Sequence, residues 1–166
     1  MLKMEYRSAM VYNDDKIDHL PDIISKLLYH IIKEVNKFLD LHDEADYSGP
    51  TVRKSSNNLT IAYNIYPTKN KIDFFFKNLN EILSDSLNNY SKLGELIVYE
   101  SNKGEIFDMG KKAFNIVKAY HFEFYIYEPG AVVYCRLLIE EDELKNKKWI
   151  SIDFDIIIQS SWFSEN

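Results

Sequence analysis

Asp153-Phe-Asp155 is the constellation in this 166-residue chain whose residue types and spacing come closest to chemistry. On a strand, the two-residue period puts both carboxylates on one face, roughly 6–7 Å apart. With Glu123 from across the sheet they could hold Mg²⁺ or Mn²⁺, as the carboxylate clusters of hydrolases and nucleases do. Arg136 competes with that reading, because strand pairing sets it beside one of the two aspartates. A solvated outer face, partly neutralised by Arg136, is the simpler account. The four histidines, His19, His30, His42 and His121, include no i, i+4 pair of the kind a helical zinc site uses. The single Cys135 cannot build a thiolate site. No Gly-rich phosphate loop, G-x-S-x-G or H-E-x-x-H occurs. The expectation is a chain without catalytic residues, cofactor or metal.

What those carboxylates share their face with is a set of tyrosines. Glu123, Tyr125, Tyr127, Tyr134, Asp153 and Asp155 all project from one side of a C-terminal sheet segment, residues 121–159. Tyrosine combines a large contact area, low entropic cost and a hydrogen-bonding tip, and interfaces favour it for that reason. Carboxylates around it steer a basic partner towards the surface. These six residues are the candidate partner-binding set.

The element that positions them is a three-stranded meander. In residues 121–128, Phe122, Phe124 and Ile126 alternate with Glu123, Tyr125 and Tyr127. Pro129-Gly130 reads as a two-residue turn, Pro presetting φ at its first position and Gly accepting φ > 0 at its second. That turn would set Glu128 opposite Ala131, Ile126 opposite Val133, Phe124 opposite Cys135 and Phe122 opposite Leu137. On the other face it pairs Tyr125 with Tyr134 and Glu123 with Arg136. The third strand, 149–159, sends Ile150, Ile152, Phe154, Ile156 and Ile158 to the apolar side.

Earlier in the chain, Ile17, Leu20, Ile24, Leu27/Leu28, Ile31, Val35 and Phe38/Leu39 recur at three- and four-residue spacing, the mark of one buried helical stripe. Pro21 fits the first turn, and the helix should end near Leu41. An acidic loop, His42-Asp-Glu-Ala-Asp46, and the breaker pair Gly49-Pro50 follow. Residues 51–66 read as a hairpin with Leu59, Ile61, Tyr63 and Ile65 on one face. A second helix over about 71–90 carries Ile72, Phe75/Phe76, Leu79, Ile82/Leu83 and Leu87, with Gly94 closing it. Residues 95–101 form a short strand, and Asn102-Lys-Gly104 a turn into 105–108. Two stretches stay ambiguous between strand and helix, 4–12 and 109–120. The fold expected is α+β over residues 1–166 as a single domain. A mainly antiparallel sheet ends in the C-terminal meander, with two amphipathic helices on its apolar face.

Composition agrees. A hydrophobic fraction of 46% and 14% aromatics exclude a disordered chain. Cys135 on the apolar face suits a reducing compartment, and no apolar run is long enough to span a membrane, so a cytoplasmic protein is expected. Residues 1–120 carry 17 acidic and 16 basic side chains, residues 121–166 carry 9 and 4, so most of the net charge of −6 lies on the sheet segment. That argues against nucleic acid as a partner.

A small, acidic, Tyr-rich α+β domain without catalytic motifs resembles the immunity proteins encoded beside polymorphic and contact-dependent growth-inhibition toxins. The resemblance covers the general character of the whole chain and rests on no motif, so it assigns no residue. It implies a partner: a cognate toxin domain, often a basic nuclease, that the protein binds and blocks. Two other expectations stand beside it, a metal-dependent hydrolase using Asp153, Asp155 and Glu123, and a small structural or adaptor subunit that associates through its sheet edge.

Overall fold

The computed structural model describes residues 20–55, 58–102, 115–128, 130–144 and 147–159. The apolar periodicities of the sequence become two helices, α1 (Asp22–Leu41) and α2 (Ile72–Asn88). Six strands accompany them: β1 (Ala45–Lys54), β2 (Asn58–Pro67), β3 (Gly94–Asn102), β4 (Asn115–Ile126), β5 (Ala131–Leu144) and β6 (Lys147–Gln159). All strands pair antiparallel in one open sheet of order β1-β2-β6-β5-β4-β3. The C-terminal meander β4-β5-β6 is its centre, with the β1-β2 hairpin on one flank and β3 on the other.

Both helices lie on the same side of the sheet, which we call the inner face. α1 sets Ile24, Leu27, Leu28, Ile31, Val35 and Leu39 against it, and α2 sets Phe75, Phe76, Leu79, Leu83 and Leu87. They meet Leu59, Ile61, Tyr63 and Ile65 of β2, Phe122 and Phe124 of β4, and Val133, Cys135 and Leu137 of β5. Ile152, Phe154, Ile156 and Ile158 of β6 complete the layer. Burying one such Leu, Ile or Phe stabilises the fold by about 1.5–3 kcal/mol, so this layer outweighs any single surface contact. From Leu20 onward, the anticipated stripes of both helices and the inward residues of β2 and β6 lie in this layer or pack against it. Cys135 is fully buried, and burial pushes its thiol up to about 12.

One polar pair lies inside this layer. Tyr63 of β2 donates its hydroxyl hydrogen to Asn36 Oδ1 of α1 across 2.8 Å, and both residues are buried. The Tyr63 ring also meets Phe154 edge-on, 5.5 Å between centroids. A hydrogen bond in this setting fixes which turn of α1 lies over β2, something apolar contact alone does not specify.

Three expectations are corrected. The β4–β5 register is shifted by two: Ile126 pairs with Ala131, Phe124 with Val133 and Phe122 with Cys135. A two-residue hairpin loop favours turns whose first position has φ > 0, which the ring of Pro129 forbids, so the loop widens to residues 127–130. Gly130 within it has φ +84°. Because the shift is even, every side chain keeps its face. Second, β1 begins at Ala45 inside the presumed acidic loop and runs through Gly49-Pro50, absorbing them as a register shift between Ser48 and Thr51. Third, Pro21 stands just ahead of α1, not within its first turn. Gly94, just beyond α2, closes the 3₁₀ turn Ser91–Leu93 through its N–H to the Ser91 carbonyl and opens β3 in extended backbone. A Cβ at Gly94 would lie 1.9 Å from the Tyr125 carbonyl oxygen, so the close approach of β3 to β4 requires glycine there. Residues 115–120 are strand, part of β4. The expectations for 4–12, 105–108 and 109–114, and for the chain before residue 20, fall outside the described residues.

The Tyr63–Asn36 pair yields a test. Tyr63→Phe keeps the ring and its packing but removes the donor, and should cost about 1–2 kcal/mol. Urea denaturation should show a lower midpoint at unchanged slope; an unchanged midpoint would mean the pair contributes nothing to stability.

Candidate functional site

The face away from the helices is built by the odd positions of β3, β4 and β6 and the even positions of β5. Register converts those positions into rows. One row is Tyr99, His121, Arg136, Asp155; the next is Ile97, Glu123, Tyr134, Ile157; the third is Glu95, Tyr125, Val132, Gln159. Four of the six expected residues, Glu123, Tyr125, Tyr134 and Asp155, therefore share this outer face within three adjacent rows.

Glu123 is the hub of the middle of that face. Tyr125, two residues along β4, donates its hydroxyl hydrogen to Glu123 Oε2 at 2.7 Å. His121, two residues the other way, has its Nε2 3.2 Å from Glu123 Oε1. The period of the strand puts all three on one side, and the hydrogen bonds then fix their tips. The His121 ring lies 5.9 Å from both Tyr99 and Tyr134, centroid to centroid, on the two neighbouring strands. Tyr99, His121, Tyr134 and Tyr125 thus form a patch of rings centred on one carboxylate.

Electrostatics follow from that geometry. Burial holds His121 below its usual 6.5, Glu123 partly opposes this, and Arg136 adds to it. Near neutral pH the imidazole is uncharged, and its Nε2–H serves as donor to Glu123. Tyr125 is pushed up to about 12, chiefly by its hydrogen bond to Glu123. Its phenol stays protonated and stays a donor.

The remaining expected residues stand differently. Of the two aspartates, it is Asp155 that lies opposite Arg136, with Nη2 and Oδ2 3.9 Å apart. At that separation the pair contributes at most about 1 kcal/mol. The expected Glu123–Arg136 cross-strand pairing is not formed, because the two-residue shift places His121 opposite Arg136 and Tyr134 opposite Glu123. Asp153 is on the outer face but only 9% exposed, beside buried Leu138. Tyr127 lies in the β4–β5 loop, 70% exposed, its N–H donating to the Leu93 carbonyl at 3.1 Å. Glu123 is thus in a different row from the Asp153/Asp155 pair, with both of its oxygens engaged. Among the described residues no group of three or more His, Cys, Asp or Glu is placed to hold a metal ion.

Sequence reasoning missed Tyr99, Ile97 and His121. Residues 95–101 are apolar on both faces, so alternation carries no signal there. What would have found Tyr99 is the β3–β4 register, and no tight turn announces it. Comparisons with protein-family models, with curated proteins and with solved structures find no match to this chain.

The hub can be tested by titration. In NMR, the His121 ring protons should titrate below pH 6.5, and Glu123→Gln should lower that value further by removing the charge that favours imidazolium. Because the folded value lies below the unfolded one, the stability this group contributes is complete above about pH 6.5 and lost as pH falls through the folded value. His121→Gln should flatten that loss. A Glu123→Gln protein whose His121 titrates higher would contradict the assignment.

Proposed function

We propose that this chain works by binding another protein through its outer sheet face, and that it is an immunity protein which occupies and blocks a basic toxin domain. The observation that supports this most is the ring patch around Glu123. Two of its rings, His121 and Tyr125, are oriented by hydrogen bonds to Glu123 within one strand, so that part of the surface needs little reorganisation on binding. Tyr99 and Tyr125 are 45% and 36% exposed, and Tyr127 lies close by in chain order. Glu95 and Glu128 are exposed on or beside the same strands, and acidic residues in those positions attract a basic partner from a distance.

The test needs a candidate toxin, and the protein encoded immediately upstream is the one to take. Binding kinetics should be measured with its C-terminal domain at two salt concentrations. Association should slow as salt rises, with screening over about 8–10 Å. Glu128→Lys should lower mainly the association rate. Tyr125→Ala should speed dissociation, by an amount on the order of 2 kcal/mol if it is a central anchor. If both variants keep wild-type rates at both salt concentrations, the outer face is not the interface.

A further inference from the structure

The sheet is open, and its two edges differ. β1 is blunted: Pro50 lacks an N–H, the register shifts between Ser48 and Thr51, and Asp46 and Arg53 stand exposed on it. β3 lacks the proline and the register shift, although Glu95 stands exposed on it. Its nine residues pair in unbroken register with β4, it contains no proline, and among the described residues no strand lies on its other side.

The direction of the β3 backbone can be read from one hydrogen bond. Tyr127 N–H donates to the Leu93 carbonyl, continuing the β3–β4 ladder. The Leu93 carbonyl and the backbone polar groups of residues 95, 97 and 99 therefore aim at β4, and the alternation sends those of Leu96 and Val98 outward. Gly94 agrees, because its N–H turns away from β4 to the Ser91 carbonyl. The outward row is flanked by apolar surface: Val98 is 51% exposed on the inner side, and Tyr99 is exposed on the outer side.

Charge says what kind of strand fits. Glu95, Glu123 and Glu128 lie on or beside β3 and β4, and no Lys or Arg takes an outer-face position on either strand in the described pairing. Lys92 precedes β3 in its 3₁₀ turn, and Lys118 is on the inner face, over the rings of Phe76 and Tyr120. A second copy would bring like charges to this edge. A cationic strand would neutralise them.

We infer that β3 is a docking edge that accepts an extended segment of the partner protein as a seventh strand, with Lys or Arg on the outer face and aliphatic residues between them. This rests on the protein-binding reading above and names its mode. Backbone hydrogen bonds to Leu96 and Val98 would supply affinity, and the alternating side chains specificity.

The probe is a capped peptide of about eight residues alternating Lys with Val, with a Glu/Val peptide of equal length as control. Amide exchange and shift perturbation should show saturable binding of the Lys/Val peptide, protection of the Leu96 and Val98 amides, and no binding of the Glu/Val peptide. Val98→Pro removes an outward N–H while leaving the β3–β4 ladder intact, and should weaken binding roughly tenfold. Should that variant fail to fold, Glu95→Lys takes its place and should weaken the Lys/Val peptide. Failure of the Lys/Val peptide to bind, or binding without protection of β3, overturns the inference. So does protection that appears without peptide and rises with protein concentration, which would mark self-pairing. In the complex with the upstream domain, an effect of Tyr125→Ala without one of Val98→Pro removes the edge and leaves the face. Absence of both effects removes both readings.

Discussion

The apolar face of the β4-β5-β6 meander is the constraint on which the rest of this protein depends. Phe122, Phe124, Cys135, Leu137, Ile152, Phe154 and Ile156 cannot remain in water, and one face of three strands is too large to bury against itself. Two amphipathic helices cover it, and β2 extends it so that α1 also has a surface to lie on. Everything on the opposite face follows from that choice. Once the even positions of β4 are committed inward, His121, Glu123 and Tyr125 must project outward together, two residues apart, close enough to bond through their tips.

That coupling explains why the outer face is ordered although few of its contacts are strong. The Arg136–Asp155 pair is loose, and the hydrogen bonds to Glu123 are partly exposed. Their geometry is held by the layer behind them, whose stabilisation is several times larger. The candidate site is thus a by-product of core packing in position, and specific only in its side chains. A substitution inside the core that tilts β4 against β5 would disturb the ring patch without touching it.

The α+β class, both helical stripes and the inward residues of β2 and β6 were legible in the sequence because each is a periodic pattern imposed by burial. The register of the β4–β5 hairpin was not. Apolar residues alternate so regularly on both strands that a shift of two satisfies the pattern equally well, and only the turn distinguishes the two registers. Pro129 decided it. Glu123 and Tyr125 could be assigned to the right face but not to their partners. Tyr99 could not be found at all, because β3 reaches β4 across a long connection and its sequence is apolar on both sides. The near-burial of Asp153 was likewise not legible: it shares a row with Ala119 and Leu138, both buried although strand alternation assigns them outward positions.

The asymmetry of the two edges has a consequence for stoichiometry. A sheet with two open edges can template a neighbour, which templates another, and the chain of additions need not end. Here one border carries an imino acid and a register shift, so any growth that begins at β3 has no matching border to continue from. Among the described residues, β1 is thus the border less suited to strand addition. Glycine at position 94 sets the other half of that arrangement. Replacing it would loosen a border that has no strand beyond it among the described residues, so the residue that looks least informative in the chain is the one holding β3 in register.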